Sequence, residues 1–149
     1  LYNSNGLVWE KTTSETYLEF PENEIELDFG KSYFWNVEGL DLIESFKSQN
    51  QKFTLLSEEE AQQVKQEEDK LTRIFSENPK STSLHTLLGT YYATSGLYED
   101  DIREFELVRA ANPESALPHE ILGGLYNTVG KKDLAIEELQ KALSLEKEK

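Results

Sequence analysis

Apolar and polar residues alternate along the first third of the chain and recur every three or four residues along the remainder. Ile25, Leu27 and Phe29 alternate with Glu26 and Asp28, and Tyr33, Trp35 and Val37 alternate with Phe34, Asn36 and Glu38. A period of two is the signature of a strand with one buried face. Leu7 and Trp9, Leu18 and Phe20, and Phe53 and Leu55 give three shorter candidate strands. Asn5-Gly6, Pro21-Glu22-Asn23, Gly30 and Ser48-Gln49-Asn50 punctuate them as turns. The pattern predicts an antiparallel β segment over residues 1–56.

The period changes at Leu56–Ser57. Ser57-Glu58-Glu59-Glu60 has the form of a capping box, in which Ser57 accepts from the Glu60 amide while Glu60 reaches back. Ala61, Val64, Leu71, Ile74 and Phe75 then fall on one side of a helix that should stop before Pro79. Beyond it the chain repeats itself at an offset of 34: Ser81 with Ser115, His85 with His119, Leu88-Gly89 with Leu122-Gly123, Tyr92 with Tyr126, Gly96 with Gly130, and Asn78-Pro79 with Asn112-Pro113. That many coincidences at one period indicate stacked helical hairpins.

The repeated residues resemble the tetratricopeptide repeat. Over 81–115, Leu88-Gly89 and Tyr92 stand at that family's Leu-Gly and Tyr, and Phe105 and Pro113 at its Phe and closing Pro. Over 116–149, Leu122-Gly123, Tyr126, Gly130, Ala135 and Ala142 fit. The departures are His85 and His119 at the family's Trp position, Asp101 at its packing Ala, Leu139 at its Phe and Lys147 at its closing Pro. The helix before Pro79 resembles the second half of a degenerate repeat over 57–80. Within the first segment, Leu27-x-x-Gly30-x-x-Tyr33-x-Trp35-x-Val37 resembles the strand of fibronectin type III and immunoglobulin-like sandwiches in which a tyrosine ties the sheet edge to the preceding loop. About 50 residues hold only part of such a sandwich, which takes about 100. The expected fold class is therefore α+β in two segments: an antiparallel sheet over 1–56, a partial immunoglobulin-like sandwich, then an all-α tetratricopeptide array over 57–149.

Composition agrees with this division. Both tryptophans and five of the seven phenylalanines lie in 1–56, and all seven alanines lie between Ala61 and Ala142, matching strand and helix preference respectively. Of 149 residues, 29 are acidic and 15 basic, for a formal charge of −14. This argues against nucleic acid and anionic membranes, which need clustered Lys and Arg, and no apolar run approaches the length of a membrane span. The absence of cysteine removes disulfide and thiolate chemistry. No methionine stands at position 1, so Leu1 is expected to begin a fragment or processed product.

Candidate chemistry is sparse. Asp28-Phe29-Gly30 and Gly30-Lys31-Ser32 echo kinase and phosphate-loop motifs without their surroundings, since Ile25 occupies the glycine position and a strand follows. His85 and His119, with Glu120 nearby, could be read as metal ligands; their repeat-equivalent positions favour helix packing. Asp100-Asp101 and Glu137-Glu138 read as solvated pairs on exposed helix faces, and no nucleophile–His–Asp set is present. The expectation is a non-enzymatic protein-interaction module of a larger bacterial protein, with no cofactor and no metal.

The resemblance implies that the concave face of the hairpins binds the partner. It would be lined by Ser83, Thr86, Thr90 and Ala93, then Leu117, Glu120, Gly124 and Asn127. The basic carboxylate clamp of chaperone-binding family members is missing. Thr86, Thr90, Glu120 and Asn127 are the candidate contacts, and the groove suits an extended or helical protein segment, including a basic one. The alternatives are a mere spacer, or a structural component that forms homo-oligomers through the open β edge or the apolar last helix. The β-then-repeat arrangement also resembles bacterial multidomain proteins, some exported, which inclines the reading toward the cell envelope.

Overall fold

The computed structural model describes residues 1–21, 23–40 and 45–147. Glu22 of the predicted turn and the last two residues of the repeat predicted over 116–149 lie outside them. The chain divides into two compact units, Leu1–Gln63 and Val64–Lys149. Antiparallel sheets come first and five helices follow, the expected α+β order.

In the first unit β1 (Tyr2–Asn3), β2 (Gly6–Leu7), β3 (Ser32–Trp35) and β6 (Gln51–Thr54) form one sheet in the order β2-β1-β3-β6. β4 (Glu38–Leu40) and β5 (Ser45–Lys47) pair separately. The β3–β6 ladder sets Tyr33 against Phe53 and Trp35 against Gln51, whereas β4–β5 sets Glu38 against Lys47. The register therefore slips by one residue between the ladders, with Gln49 and Asn50 opposite Asn36, the count of a β-bulge. Ser48 N–H donates to Val37 O across the slip and Asn36 donates to the Asn50 side chain.

Tyr33 is the centre of this unit, 1% exposed and stacked on Phe53 with ring centroids 5.5 Å apart. Asp28 N–H donates to the Tyr33 hydroxyl at 2.9 Å, so the ring ties the preceding loop to the sheet. The strands predicted at Ile25–Phe29 and Leu18–Phe20 are not formed. Ile25 and Leu27 are half-buried between exposed Glu26 and Asp28 as the alternation requires, yet among the described residues no neighbouring strand takes up their backbone groups. Alternation reports a buried face; it does not supply a ladder partner.

The helices are α1 (Glu58–Ile74), α2 (Thr82–Thr94), α3 (Tyr98–Ala111), α4 (Ala116–Thr128) and α5 (Lys132–Lys147). The capping box forms: Glu60 N–H donates to Ser57 Oγ at 3.2 Å, and Ser57 N–H donates to the Glu60 carboxylate at 2.8 Å. These bonds hold the Glu60 carboxyl below its ordinary value. α2 and α4 both end on a glycine in the left-handed region, Gly96 at φ 74° and Gly130 at φ 80°. The next residue folds back in each case, Leu97 N–H to Tyr92 O and Lys131 N–H to Tyr126 O, the turn that closes a helix C-terminus and starts the antiparallel return.

Packing follows the repeat. Leu84, Leu88 and Tyr92 of α2 bury against Val64, Leu71 and Phe75. Ile102, Phe105 and Val108 of α3 bury against Leu122 and Tyr126 of α4 and Ala135 of α5. Ala116 closes on Ala142 and Leu145. Gly89 and Gly123 lie where the second helix of each hairpin crosses the first. A Cβ at Gly89 would sit 2.7 Å from Phe105 Cε2, and one at Gly123 would sit 2.6 Å from Leu139 Cγ.

Candidate functional site

Each helix of the array is joined to the next by a carboxylate. Tyr92 of α2 donates its hydroxyl to Glu68 of α1 at 2.7 Å. His85 Nδ1 of α2 lies 2.6 Å from Glu104 Oε2 of α3. Tyr126 of α4 donates to Glu106 of α3 at 2.6 Å, and His119 Nδ1 of α4 lies 2.6 Å from Glu138 Oε2 of α5. Burial, then the bonded carboxylate, pushes the Tyr92 hydroxyl above its ordinary value and the Tyr126 hydroxyl up to about 12, so both remain neutral donors. Glu138 also takes the Arg109 guanidinium of α3. One carboxylate thus holds three consecutive helices.

The histidines fill the positions where the resemblance places an aromatic packing residue, and each sets its Nδ1 on a carboxylate. Among the described residues the buried His119 Nε2 has no hydrogen-bond partner. Their side chains are 17% and 9% exposed. Among the described residues no three His, Asp or Glu side chains converge as a metal site would require. The two acid pairs depart from expectation. Asp100 and Glu137 face outward, but Asp101 is 1% and Glu138 8% exposed. Glu138 is buried because the Arg109 guanidinium neutralises it and His119 Nδ1 bonds it. Asp101 is buried because it stands where the repeat packs a small residue, against Gly89 and its neighbour Phe105. Among the described residues its Oδ1 finds no partner, and burial pushes its carboxyl up to about 6.

The predicted partner face is open. Thr86 and Thr90 are exposed on α2, and Glu120 and Asn127 are exposed on α4. Thr86 and Glu120 are repeat equivalents, as are Thr90 and Gly124. Both threonine hydroxyls donate to their own helix, at 2.8 Å to Thr82 O and Thr86 O, leaving their oxygens to accept. Among the described residues no hydrogen bond or ion pair joins the α2 pair to the α4 pair. A shallow concavity of about 490 Å³ lies elsewhere, lined by Arg109, His119, Glu138 and Lys141 among others.

Gly124 distinguishes this face. It lies in the middle of α4, is exposed, and a Cβ there would meet nothing within 4 Å. Glycine inside a helix costs about 1 kcal/mol relative to alanine, and here, unlike at Gly89 and Gly123, no packing accounts for it.

No family model matches the chain, and no curated protein matches it. Solved structures do. "Crystal structure of MamA" superposes with a TM-score of 0.51 at 23% identity, over 61% of this chain and 51% of that one. "MamA MSR-1 C2" superposes with a TM-score of 0.50 at 19% identity, over 59% and 51%. With hairpins recurring every 34 residues, the likeness settles the architecture. The helical array has a tetratricopeptide-type fold.

The chain spans about half the length of the solved structures it matches. Within the tetratricopeptide-type array, sequence reasoning missed Glu68, Glu104, Glu106, Glu138 and Arg109 as the groups that join the helices. One signal was present: Glu104 and Glu138 recur at the same offset of 34 as His85 and His119. The Tyr–Glu contacts carry no such mark, because Glu68 and Glu106 are not repeat equivalents.

Proposed function

We propose that the chain is a non-enzymatic protein-interaction module, in which a β segment over 1–56 precedes tetratricopeptide-type hairpins over 57–149 that dock a segment of another protein. We read the β segment as the C-terminal part of an immunoglobulin-like sandwich, a reading supported by the Tyr33–Asp28 tie. The observation that carries the docking role is Gly124. A helix that forgoes a side chain at an exposed position allows a ligand backbone to approach closely. Glu120, one turn before it, is the charged group among the candidate contacts, so the reading favours an extended segment bearing a basic residue. Thr86, Thr90 and Asn127 supply neutral acceptors and donors.

The test is selection of a displayed random-peptide library on the purified chain, repeated with Gly124→Leu and Glu120→Lys. The reading expects enriched peptides with a Lys or Arg at a fixed place. Gly124→Leu should abolish their binding and Glu120→Lys should remove the basic preference. Peptides that bind both variants as well as the parent would refute it.

A further inference from the structure

The face that α3 buries under α4 recurs on α5, where Leu139 meets Gly123 of α4 along one edge and, among the described residues, nothing covers Ile136 and Leu143. Ile102 is 4% and Phe105 5% exposed, whereas their repeat equivalents Ile136 and Leu139 are 54% and 42% exposed. Leu143, the equivalent of Arg109, is 56% exposed. The two groups that pin the following helices from α3, Glu106 to Tyr126 of α4 and Arg109 to Glu138 of α5, are replaced by Gln140 and Leu143. This face of α5 therefore keeps the apolar character of the α3 face but lacks its ionic anchors.

Its spacing is regular. Lys132, Ile136, Leu139, Leu143 and Glu146 follow one another at intervals of four, three, four and three, the seam of a coiled-coil contact. The seam lies beside the buried face of α5 formed by Ala135, Glu138, Ala142 and Leu145. It begins with a cation and ends with an anion, both exposed and neither in an ion pair among the described residues. Such a seam is complementary to its own antiparallel copy: the apolar residues meet at the centre, and Lys132 of each helix approaches Glu146 of the other. The antiparallel arrangement also opposes the two helix dipoles, and a self-complementary patch closes with two-fold symmetry.

We propose that this seam is a docking surface on which α5 packs antiparallel against α5 of a second copy of this chain, a site separate from the α2–α4 face. Three half-exposed aliphatic side chains on one helix make a small contact, so the dimer is a weak one. It also forms against the repulsion of two chains that each carry −14.

The test is mass by sedimentation equilibrium from about 10 µM to about 1 mM, the range where a small interface of this kind associates. The expected result is a mass rising toward the dimer, more steeply in added salt. Ile136→Lys with Leu143→Lys should abolish the rise, although it lowers the net negative charge. Leu107→Glu, at an exposed position of α3, should leave the rise intact. Lys132→Glu alone should weaken association, and adding Glu146→Lys should restore it. Retained helical circular dichroism checks the fold of each variant. A monomer throughout, or a dimer indifferent to the double lysine variant, would overturn the proposal and leave the seam to a helix of other origin. Failure of the charge swap to restore association would overturn the antiparallel pairing.

Discussion

His119 Nδ1 lies 2.6 Å from the Glu138 carboxylate whose other oxygen takes Arg109, so a single side chain joins α3, α4 and α5. In the preceding hairpin, among the described residues, Glu104 bonds His85 and no second partner. Removing one member of a buried ionic group leaves the others unpaired, which costs more than the net worth of the contact. Glu138→Ala should therefore lower stability by about 2–3 kcal/mol, and Glu104→Ala by about 1–2 kcal/mol. Urea unfolding of both variants, with a double-mutant cycle including His119→Ala, measures the difference. Equal losses would show that the Arg109 contact contributes nothing.

Asp101 opposes folding at neutral pH. Its carboxyl titrates near 6 in the folded chain and near its ordinary 3.8 when unfolded, so the folded state takes up a proton that the unfolded state releases. This group's destabilisation is complete above about pH 6 and disappears as the pH falls toward 4. Asp101→Ala, which installs the residue found at the equivalent Ala135, should stabilise the array by roughly 1–3 kcal/mol at pH 7.5. The gain should shrink on acidification. A variant whose advantage is the same at pH 7.5 and pH 4.5 would contradict this assignment.

Two adjacent glycines in α4 should respond in opposite senses. Gly123→Ala places a Cβ 2.6 Å from Leu139 Cγ, and the displacement of α5 should cost about 1–3 kcal/mol. Gly124→Ala meets open space and should stabilise by up to about 1 kcal/mol. Thermal unfolding of the two variants side by side reads both signs.

In the β unit, Tyr33→Phe removes the acceptor of the Asp28 N–H while keeping the ring stacked on Phe53. The expected loss is about 1 kcal/mol. Hydrogen exchange should show the Asp28 amide losing protection before the β3–β6 ladder does. Unchanged exchange at Asp28 would mean that solvent replaces the hydroxyl at no cost.

The helices were legible in the sequence because their signals are local or periodic. Ser57 and Glu60 form a cap within one turn, Gly96 and Gly130 end helices where they stand, and Leu88 and Leu122 repeat at a fixed offset. What was hidden depends on residues distant in sequence. Glu138 reads as one of many surface acids until Arg109 and His119 are brought to it, and Asp101 reads likewise until Gly89 lets α3 close on it. Ile25 and Leu27 show the opposite failure, since their pattern gives the buried side correctly but cannot say whether a strand lies alongside. Of the candidate partner face, the sequence placed Thr86, Thr90, Glu120 and Asn127 on exposed helix surface. It also separated Gly123, at the repeat's Leu-Gly position where the packing needs it, from Gly124 on the open face.

The carboxylate contacts that join the helices from α1 to α5 link residues only 19 to 29 positions apart. No helix of the array must wait for a distant part of the chain, so loop closure contributes little to the barrier and folding should be fast. The same locality has a mechanical consequence. Pulled from its ends, such an array should give way helix by helix, each step freeing a helix from the glutamate that joins it to its neighbour and the release of α5 freeing His119 and Arg109 together.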